Sequence, residues 1–205
     1  AFDLIDEFKP KHISLYALTV YGDTPLASIC KKGNEHLVND DILSDKYLEL
    51  IELLLKKGYQ QYEVSNFALP GFECRHNLRY WNLSNFLGFG PSASSHIFGL
   101  EWKNSNDLNE ISKAIESNIF PLSRVEKLPE YTYIFEKLFL TLRLKRSIHI
   151  HSLANLIRSD RESLLSDLQF FAKEGLLVID PASGTFKLTA KGLFLSEEIF
   201  LKLTK

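Results

Sequence analysis

The order of the first three predicted elements is the feature that most constrains the fold. HISLYALTV, at 12–20, is rich in β-branched and aromatic residues and predicts a strand. LSDKYLELIELLLKKG has apolar residues at helical spacing and ends at Gly58, which predicts a long amphipathic helix. QYEVSNFA, ending at Ala68, predicts a second strand before the turn at Pro70 and Gly71. Strand, helix and strand in this order predict a parallel βαβ unit.

Polar residues gather where the second predicted strand ends. Glu63, Ser65 and Asn66 lie there, and the segment ECRHNLRYW follows at 73–81. Because the carboxyl ends of parallel strands form ligand sites, Glu63 and Asn66 are predicted to contact a ligand. Glu63 is equally well suited to pair with an arginine in the interior.

The ECRHNLRYW segment carries the densest set of candidate ligands. In a helix, His76 and Tyr80 would share one face, with Trp81 beside them. A neutral imidazole is a good ligand for haem iron, and aromatic rings pack on a porphyrin face. In the same segment Arg75 and Arg79 can pair with propionates.

Two further interpretations of this segment stay open. Cys74 is a second candidate ligand for the iron. Alternatively, His76, Asn77 and Tyr80 form a buried hydrogen-bond network that anchors a loop, with Trp81 in the core. Residue types alone favour this structural interpretation.

The second half of the chain changes in character. DLNEISKAIESN predicts a helix capped by Asn106 or Asp107, and FPLSRVEKLPE is a polar connection with two prolines. That connection is the predicted domain boundary, which gives domains at 1–122 and 123–205. The helices EYTYIFEKLFLTLRL, HSLANLIR and RESLLSDLQFFAKEGLL precede a hairpin, LLVID-PASG-TFKLT, and a last helix, which together predict a winged-helix-like domain.

Charge and composition exclude several classes of function. The net charge is −2, and the predicted recognition helix carries four acidic residues against Arg161 and Lys173, so nucleic acid is not an expected partner. Arg143, Lys145 and Arg146 are interpreted as a solvated helix end. Five histidines lack metal-like spacing with carboxylates or thiols: His12, His36, His96, His149 and His151.

The cysteines and the first residues bear on compartment and completeness. Cys30 and Cys74 are far apart, which argues against a disulfide framework and favours a reducing, cytoplasmic setting. No apolar run is long enough to span a bilayer. The chain contains no Met and begins within a predicted element, so we expect a fragment of a longer protein.

The run HISLYALTV…GDTPL…GYQQYEVSNFALPGFECRHNLRYW…FLGFGPSA resembles the oxygen-independent coproporphyrinogen III oxidase family of radical S-adenosylmethionine (SAM) proteins. Within it, the chain is most similar to the HemW-like, haem-chaperone branch. The H-N-x-x-Y-W signature of that branch, associated there with haem binding, is matched by His76, Asn77, Tyr80 and Trp81. The resemblance is strong over 12–98 and looser over 127–205.

The resemblance implies an α/β fold: the C-terminal portion of a partial (β/α) radical-SAM-type barrel, followed by a helical winged-helix-like domain. Glu63, Ser65 and Asn66 would line the open end of the barrel. In the family, a C-x-x-x-C-x-x-C motif holds a [4Fe–4S] cluster that binds S-adenosylmethionine. This sequence lacks that motif, so the chain alone is not expected to perform radical chemistry, and no catalytic residue is assigned. In the family, a histidine often follows GPSA closely. This sequence departs from that pattern, because Ser94 and Ser95 lie between GPSA and His96.

Three functions follow as hypotheses. The first is binding of haem, with His76 as the iron ligand, and its delivery to a haem-accepting protein. The second is oxygen-independent oxidation of coproporphyrinogen III in porphyrin biosynthesis, against which the H-N-x-x-Y-W signature argues. The third is a C-terminal protein-docking module at 127–205. A peripheral membrane partner is left open.

Overall fold

The computed structural model describes residues 2–18, 20–31 and 40–204. Contacts between Cα atoms group the chain into two units, Ala1–Glu73 with Ser147–Lys205, and Cys74–Arg146. The domain limits at 1–122 and 123–205 remain a prediction. His36 and Thr19, which belong to the predictions above, lie outside the described residues.

The first unit begins with short elements around one long helix. They are α1 (Phe2–Phe8), β1 (His12–Ser14), α2 (Pro25–Lys31), α3 (Asp40–Lys56), β2 (Gln60–Gln61) and β3 (Asn66–Ala68). The predicted amphipathic helix is confirmed as α3. Gly58, with a φ of 88°, takes the left-handed conformation that ends it.

The predicted parallel pairing is wrong. β1 pairs antiparallel with β3, with Ile13 opposite Phe67, and β2 pairs antiparallel with β3 on its other side. The reason is local: the stretch predicted as one strand turns back on itself at 62–65, so that β2 and β3 form a hairpin. β1 also ends at Ser14, well before the predicted end at 20.

The core of this part joins the helix to the hairpin. Ile51 and Leu54 lie one turn apart on α3 and are buried against Tyr59 and Phe67. Leu54 and Phe67 have no exposed surface. Burial of these side chains stabilises the small sheet, whose strands of two or three residues have few ladder hydrogen bonds of their own.

The same unit contains the C-terminal elements. They are β7 (Ile148–His149), α7 (Ile150–Ile157), α8 (Arg161–Lys173), β8 (Leu177–Asp180), β9 (Thr185–Leu188), α9 (Ala190–Phe194) and α10 (Ser196–Leu203). The two predicted helices and the hairpin β8–β9 are confirmed, and β7 adds a third strand in the order β7-β9-β8. The predicted last helix is two helices, which meet at Leu195.

The second unit has three helices and one antiparallel sheet. Its elements are α4 (Arg75–Trp81), β4 (Ser94–Ile97), β5 (Leu100–Asn104), α5 (Leu108–Glu116), β6 (Leu122–Lys127) and α6 (Glu130–Arg143). The helices α5 and α6 were predicted, and Asp107 caps α5 by accepting hydrogen bonds from the backbone N–H groups of Asn109 and Glu110.

The sheet of the second unit was not predicted. Its strand order is β4-β5-β6. Because β6 lies within FPLSRVEKLPE, the interpretation of that segment as a polar connection is wrong. Phe98 and Gly99 join β4 to β5 as a two-residue turn in which both residues have positive φ, 48° and 77°. Such a turn matches the twist of a hairpin, and most hairpins carry Asn or Asp where this one has Phe98.

No helix in the described ranges has both the length and the apolar character that crossing a membrane requires.

Gly192 provides a test of packing within the first unit. A Cβ at Gly192 would lie 1.8 Å from the carbonyl oxygen of Leu176. Alanine would gain about 0.5–1 kcal/mol of helix preference, but overpacking against backbone costs about 1–3 kcal/mol. We therefore expect Gly192→Ala to lower the free energy of unfolding in urea by about 1–2 kcal/mol.

The matched control is Gly22→Ala, where a Cβ meets nothing within 4 Å. That change should alter the free energy of unfolding by less than about 0.5 kcal/mol. Equal effects of the two substitutions would contradict the close approach of α9 to Leu176.

Candidate functional site

The helix α4 is short and lies at the surface. It begins after Cys74 and ends at Trp81, and none of its side chains is buried. The N–H of Asn82 donates to the carbonyl of Leu78 at its end, over 2.9 Å. The segment is therefore helical, which is the condition under which His76 and Tyr80 share one face.

His76 and Tyr80 meet on one face of α4. Their ring centroids are 4.9 Å apart and the planes cross at 87°, an edge-to-face contact. The imidazole is exposed, and neither of its nitrogens has a hydrogen-bond partner in the part of the chain that the structure describes. Tyr80 thus restrains the ring while leaving its nitrogens open to a ligand.

The alternative of a buried network is wrong for this segment. His76 and Tyr80 are exposed, the latter by 42% of its surface, and Asn77 and Trp81 are only half-buried. Buried polar groups form networks because water cannot satisfy them, and these side chains are reached by water.

Trp81 packs against the end of α6. The guanidinium of Arg143 lies 4.9 Å from the centroid of the Trp81 ring and 5.3 Å from that of Phe139. Arg146 donates to the side-chain oxygen of Asn82 over 2.5 Å. Arg143 therefore stacks on Trp81 of α4, and the interpretation as a solvated helix end is wrong for Arg143, whereas Arg146 is exposed and bonds to the residue that follows α4.

Two exposed cationic side chains lie on α4 close to His76 in the sequence. Arg75 and Arg79 are exposed and one turn apart, and Arg79 follows His76 by three residues. Neither guanidinium has an acidic partner within the described ranges. This side of α4 can therefore receive an anionic group.

Cys74 precedes the helix as its N-cap residue. Its thiol is free and half-buried, and it makes no side-chain hydrogen bond to cap the helix. In the residues that the structure describes, no three His, Cys, Asp or Glu side chains come together as a metal-ion site.

His96 differs from His76 in every respect that matters for ligation. Its side chain is buried, and Nε2 accepts a hydrogen bond from the backbone N–H of Gly99 at 3.2 Å. Nδ1 therefore carries the proton in the neutral ring and donates to the carbonyl of Ser84 at 3.4 Å. With both nitrogens engaged, His96 is a structural residue.

Phe86 extends the aromatic contacts of α4 to His96. Its ring lies 4.5 Å from Tyr80 and 6.0 Å from His96, centroid to centroid. Its backbone also pairs with that of His96 as an isolated bridge. Sequence analysis did not single out Phe86, because its partners are six residues before it and ten after it.

Glu136, on α6, faces the same buried histidine. Burial raises the pKa of the Glu136 carboxyl, and the nearby carboxylate of Glu101 raises it further. Glu101 stands directly opposite His96 across β4 and β5.

Glu63 and Asn66 lie in the first unit and are buried. Oε1 of Glu63 accepts hydrogen bonds from the backbone N–H of Ser65, at 2.9 Å, and from the amide of Asn66, at 2.5 Å. The Asn66 oxygen accepts from the hydroxyl of Ser14 at 2.5 Å. The partners of Glu63 are thus an amide and a backbone group, and they hold the 62–65 turn against β1.

Comparison with known proteins gives a consistent result. No protein-family profile matches the chain. The chain is 31% identical over 199 residues to heme chaperone HemW of Lactococcus lactis, which covers 96% of the chain and 51% of the relative. The same protein of Mycobacterium tuberculosis is 32% identical over 189 residues, which covers 92% and 46%. The Escherichia coli protein is 38% identical over 91 residues, 44% of the chain and 23% of the relative.

The chain is homologous to the C-terminal half of heme chaperone HemW. It spans about half the length of the curated HemW proteins that it matches most fully. The resemblance inferred from the H-N-x-x-Y-W signature is thereby confirmed.

A solved structure shows the fold. The chain matches, over its whole length, 50% of the chain in "Coproporphyrinogen III oxidase (HemN) from Escherichia coli is a Radical SAM enzyme", with a TM-score of 0.69 and 20% identity. The predicted fold class, an α/β fragment of the C-terminal part of this radical-SAM fold, is confirmed. The local pairing of β1 and β3 is the part of that prediction that fails.

The two histidines of the second unit should differ in their effect on stability. His96→Ala leaves the Ser84 carbonyl and the Gly99 N–H without partners in a buried place, which costs about 2–4 kcal/mol. His76→Ala removes an exposed ring and should change the free energy of unfolding by less than about 0.5 kcal/mol. Urea unfolding of both variants checks this, and equal losses would refute the structural role of His96.

The raised pKa of Glu136 predicts a pH-dependent stability. The folded protein holds this proton at a higher pH than the unfolded chain does, so stability falls as pH rises above the ordinary value of 4.5. Glu136→Gln should therefore raise the unfolding temperature at pH 7 and have little effect near pH 4. Thermal unfolding across this range checks the sign, with exposed Glu116→Gln as the control, and a variant that is less stable at pH 7 would contradict it.

Proposed function

We propose that this chain binds haem at α4, with His76 as an axial ligand of the iron, and that the protein passes the haem to a haem-accepting protein. The observation that supports it is the exposed imidazole of His76, unpartnered among the described residues and braced by Tyr80, within the H-N-x-x-Y-W signature. Homology to heme chaperone HemW supports the same function.

The ligand set fits haem better than a bare metal ion. A structural zinc site needs about four protein ligands, whereas porphyrin nitrogens occupy four positions on haem iron and leave one or two for the protein. Among the described residues no three metal-binding side chains gather, and the imidazole of His76 is open to a ligand. A single side-chain ligand at this position suits haem iron, which needs only one or two ligands from the protein.

The neighbours of His76 have distinct roles in the proposal. Tyr80 holds the imidazole in one orientation by an edge-to-face contact. Arg75 and Arg79 pair with the propionates, which are planar carboxylates that guanidinium groups bind well. Asn77 and Trp81 shape the neighbouring surface of the helix, where Arg143 fixes the indole.

Glu63 and Asn66 are proposed to act indirectly. Their side-chain oxygens are satisfied by hydrogen bonds within the first unit, so they shape the 62–65 turn. In this proposal their contribution to any ligand is to fix the backbone of that turn.

Delivery of haem favours a site of this kind. A cargo carried between proteins must be released, and a ligand on an exposed helix can be exchanged without opening a core. The acceptor is proposed to be a haem-requiring protein, and the setting cytoplasmic.

Radical chemistry requires groups that this chain does not supply. A [4Fe–4S] cluster held by three thiolates needs three cysteines, and the sequence has two, Cys30 and Cys74. The residues present do not fit that cluster, so neither it nor S-adenosylmethionine enters the proposed haem site. Formation of protoporphyrinogen by a longer protein under anaerobic conditions would support the oxidase hypothesis in place of a chaperone.

A haem titration tests the proposal. Wild type should show a saturable shift of the Soret band, because imidazole ligation changes the electronic states of the iron. His76→Ala should bind haem at least about tenfold more weakly, a loss of about 1.4 kcal/mol, and lose the spectrum of histidine ligation.

The matched control is His151→Ala. His151 is also an exposed helical histidine and contacts the residue four positions later, Asn155, at 3.2 Å. This variant should bind haem as wild type does. An unchanged spectrum in His76→Ala, or an equal loss in both variants, would overturn the assignment of His76.

A further inference from the structure

A second feature of the Cys74–Arg146 unit has no role in the site at α4. A cavity of about 560 Å³ lies between one face of the sheet, the helix α5 and the loop that carries Phe89. Its walls are mainly apolar: Trp102 and Val125 from the sheet, Ile111 and Ile115 from α5, and Phe89 and Phe120 from the loops. This volume lies within the range of about 300–1,000 Å³ typical of small-molecule sites.

The loop wall of this cavity is held in place by buried polar groups. The hydroxyl of Ser95 accepts the N–H of Gly88 at 2.9 Å, and the amide of Asn104 donates to the carbonyl of Gly90 at 3.0 Å. Ser95 is 2% exposed and Asn104 is 9% exposed. A Cβ at Gly88 would lie 2.2 Å from the carbonyl oxygen of Ser94, so the loop rests directly on β4. The cavity is therefore pre-formed.

The two faces of the sheet differ in polarity. Ser95, Trp102 and Val125 lie opposite one another on the cavity face. Ser94, Lys103 and Arg124 lie opposite one another on the other face. The charged face accounts for the many polar residues in the sequences of these strands. The apolar face forms the floor of the cavity.

The mouth of the cavity carries large apolar side chains that are open to water. Phe89 and Phe120 are 87% and 79% exposed, and Ile115 and Val125 are 63% and 55% exposed. Such exposure is costly unless a ligand or partner covers it. Three of the lining residues are aromatic, and aromatic rings favour contact with a flat π system.

One cation stands at the edge of this face. Lys127 follows Val125 by two residues on β6, so both project from the same side of the sheet, and its partner across the ladder is Leu100. Lys127 is exposed, and within the described ranges it makes no ion pair. Lys127 itself lines a neighbouring hollow with Tyr133, but its cross-strand partner Leu100 lines the cavity, so a carboxylate at the Leu100 end of the cavity would come within reach of this long side chain.

We propose that the cavity is a second binding site, for a flat, aromatic, apolar carboxylic acid of the porphyrin class, bound by its ring and by Lys127 without a bond to iron. The choice of porphyrin rests on the proposed function, while the site, its residues and its mode of binding are separate from α4. The macrocycle lies against Trp102 and Val125, and a carboxylate pairs with Lys127.

Metal-free protoporphyrin IX is the probe that separates the two sites, because it has no iron for His76 to ligate. Its fluorescence should show saturable binding to the chain. Ile115→Asp, which places a charge in the cavity wall, should weaken binding by on the order of tenfold or more, because a desolvated carboxylate faces an apolar ring.

The matched control is Ile119→Asp. Ile119 and Ile115 are both 63% exposed, and only Ile115 lines the cavity. Ile119→Asp should bind the probe within about twofold of wild type. Val125→Asp, from the opposite wall, should repeat the loss, which keeps the test decisive if Ile115→Asp unfolds. Equal binding by wild type, Ile115→Asp and Val125→Asp would overturn the site.

Two further arms identify the chemistry. The dimethyl ester of protoporphyrin IX lacks carboxylates, so Lys127→Gln should weaken the diacid severalfold and leave the ester unchanged. Oleate, an apolar carboxylate without a ring, should compete poorly, and oleate binding that exceeds that of the porphyrin would overturn the porphyrin class. His76→Ala should leave binding of the metal-free probe unchanged, so a failure at the cavity and a failure at α4 are told apart.

Discussion

A buried histidine fixes the second unit. The ring of His96 accepts from the N–H of Gly99 and donates to the carbonyl of Ser84, while its backbone pairs with Phe86. One residue therefore ties the chain that leaves α4 to the turn between β4 and β5. The hydrogen bonds of this imidazole therefore position α4 relative to the sheet that forms the floor of the apolar cavity. Because the ring bonds through both nitrogens, it can serve this purpose only when neutral.

The contrast between His96 and His76 shows how environment decides what a side chain can do. The two rings have the same chemistry, and the sequence places them twenty residues apart. Burial commits one to internal hydrogen bonds, and exposure beside Tyr80 leaves the other available to a ligand. An edge-to-face contact limits ring rotation without using a nitrogen lone pair, which is what orienting a ligand requires.

The parts of this fold that are governed by local periodicity and capping could be predicted, and the parts governed by pairing at a distance could not. α3, α5 and the hairpin β8–β9 were predicted because spacing, the Asp107 cap and turn residues act within a few positions. The antiparallel partner of β1 was not, because 52 residues separate Ser14 from Asn66. The alternation of polar and apolar residues around Trp102 indicates β5. The strand was missed because the turn before it, Phe98–Gly99, lacks the Asn or Asp that usually marks a hairpin. At the proposed site, the signature indicated the candidate residues, but the exposure of His76 depends on tertiary structure.

The length of α4 carries a consequence for how a ligand could leave. Seven residues form about two turns, and helices so short are marginal in water without support from packing. No side chain of α4 is buried, and its support comes from rings and guanidinium groups at the surface. Ordering of this helix and occupancy of His76 are therefore thermodynamically linked: a ligand that binds the helical state stabilises it, and local fraying lowers the affinity. In the proposed haem site, a partner that loosens α4 would release the haem without competing for the iron.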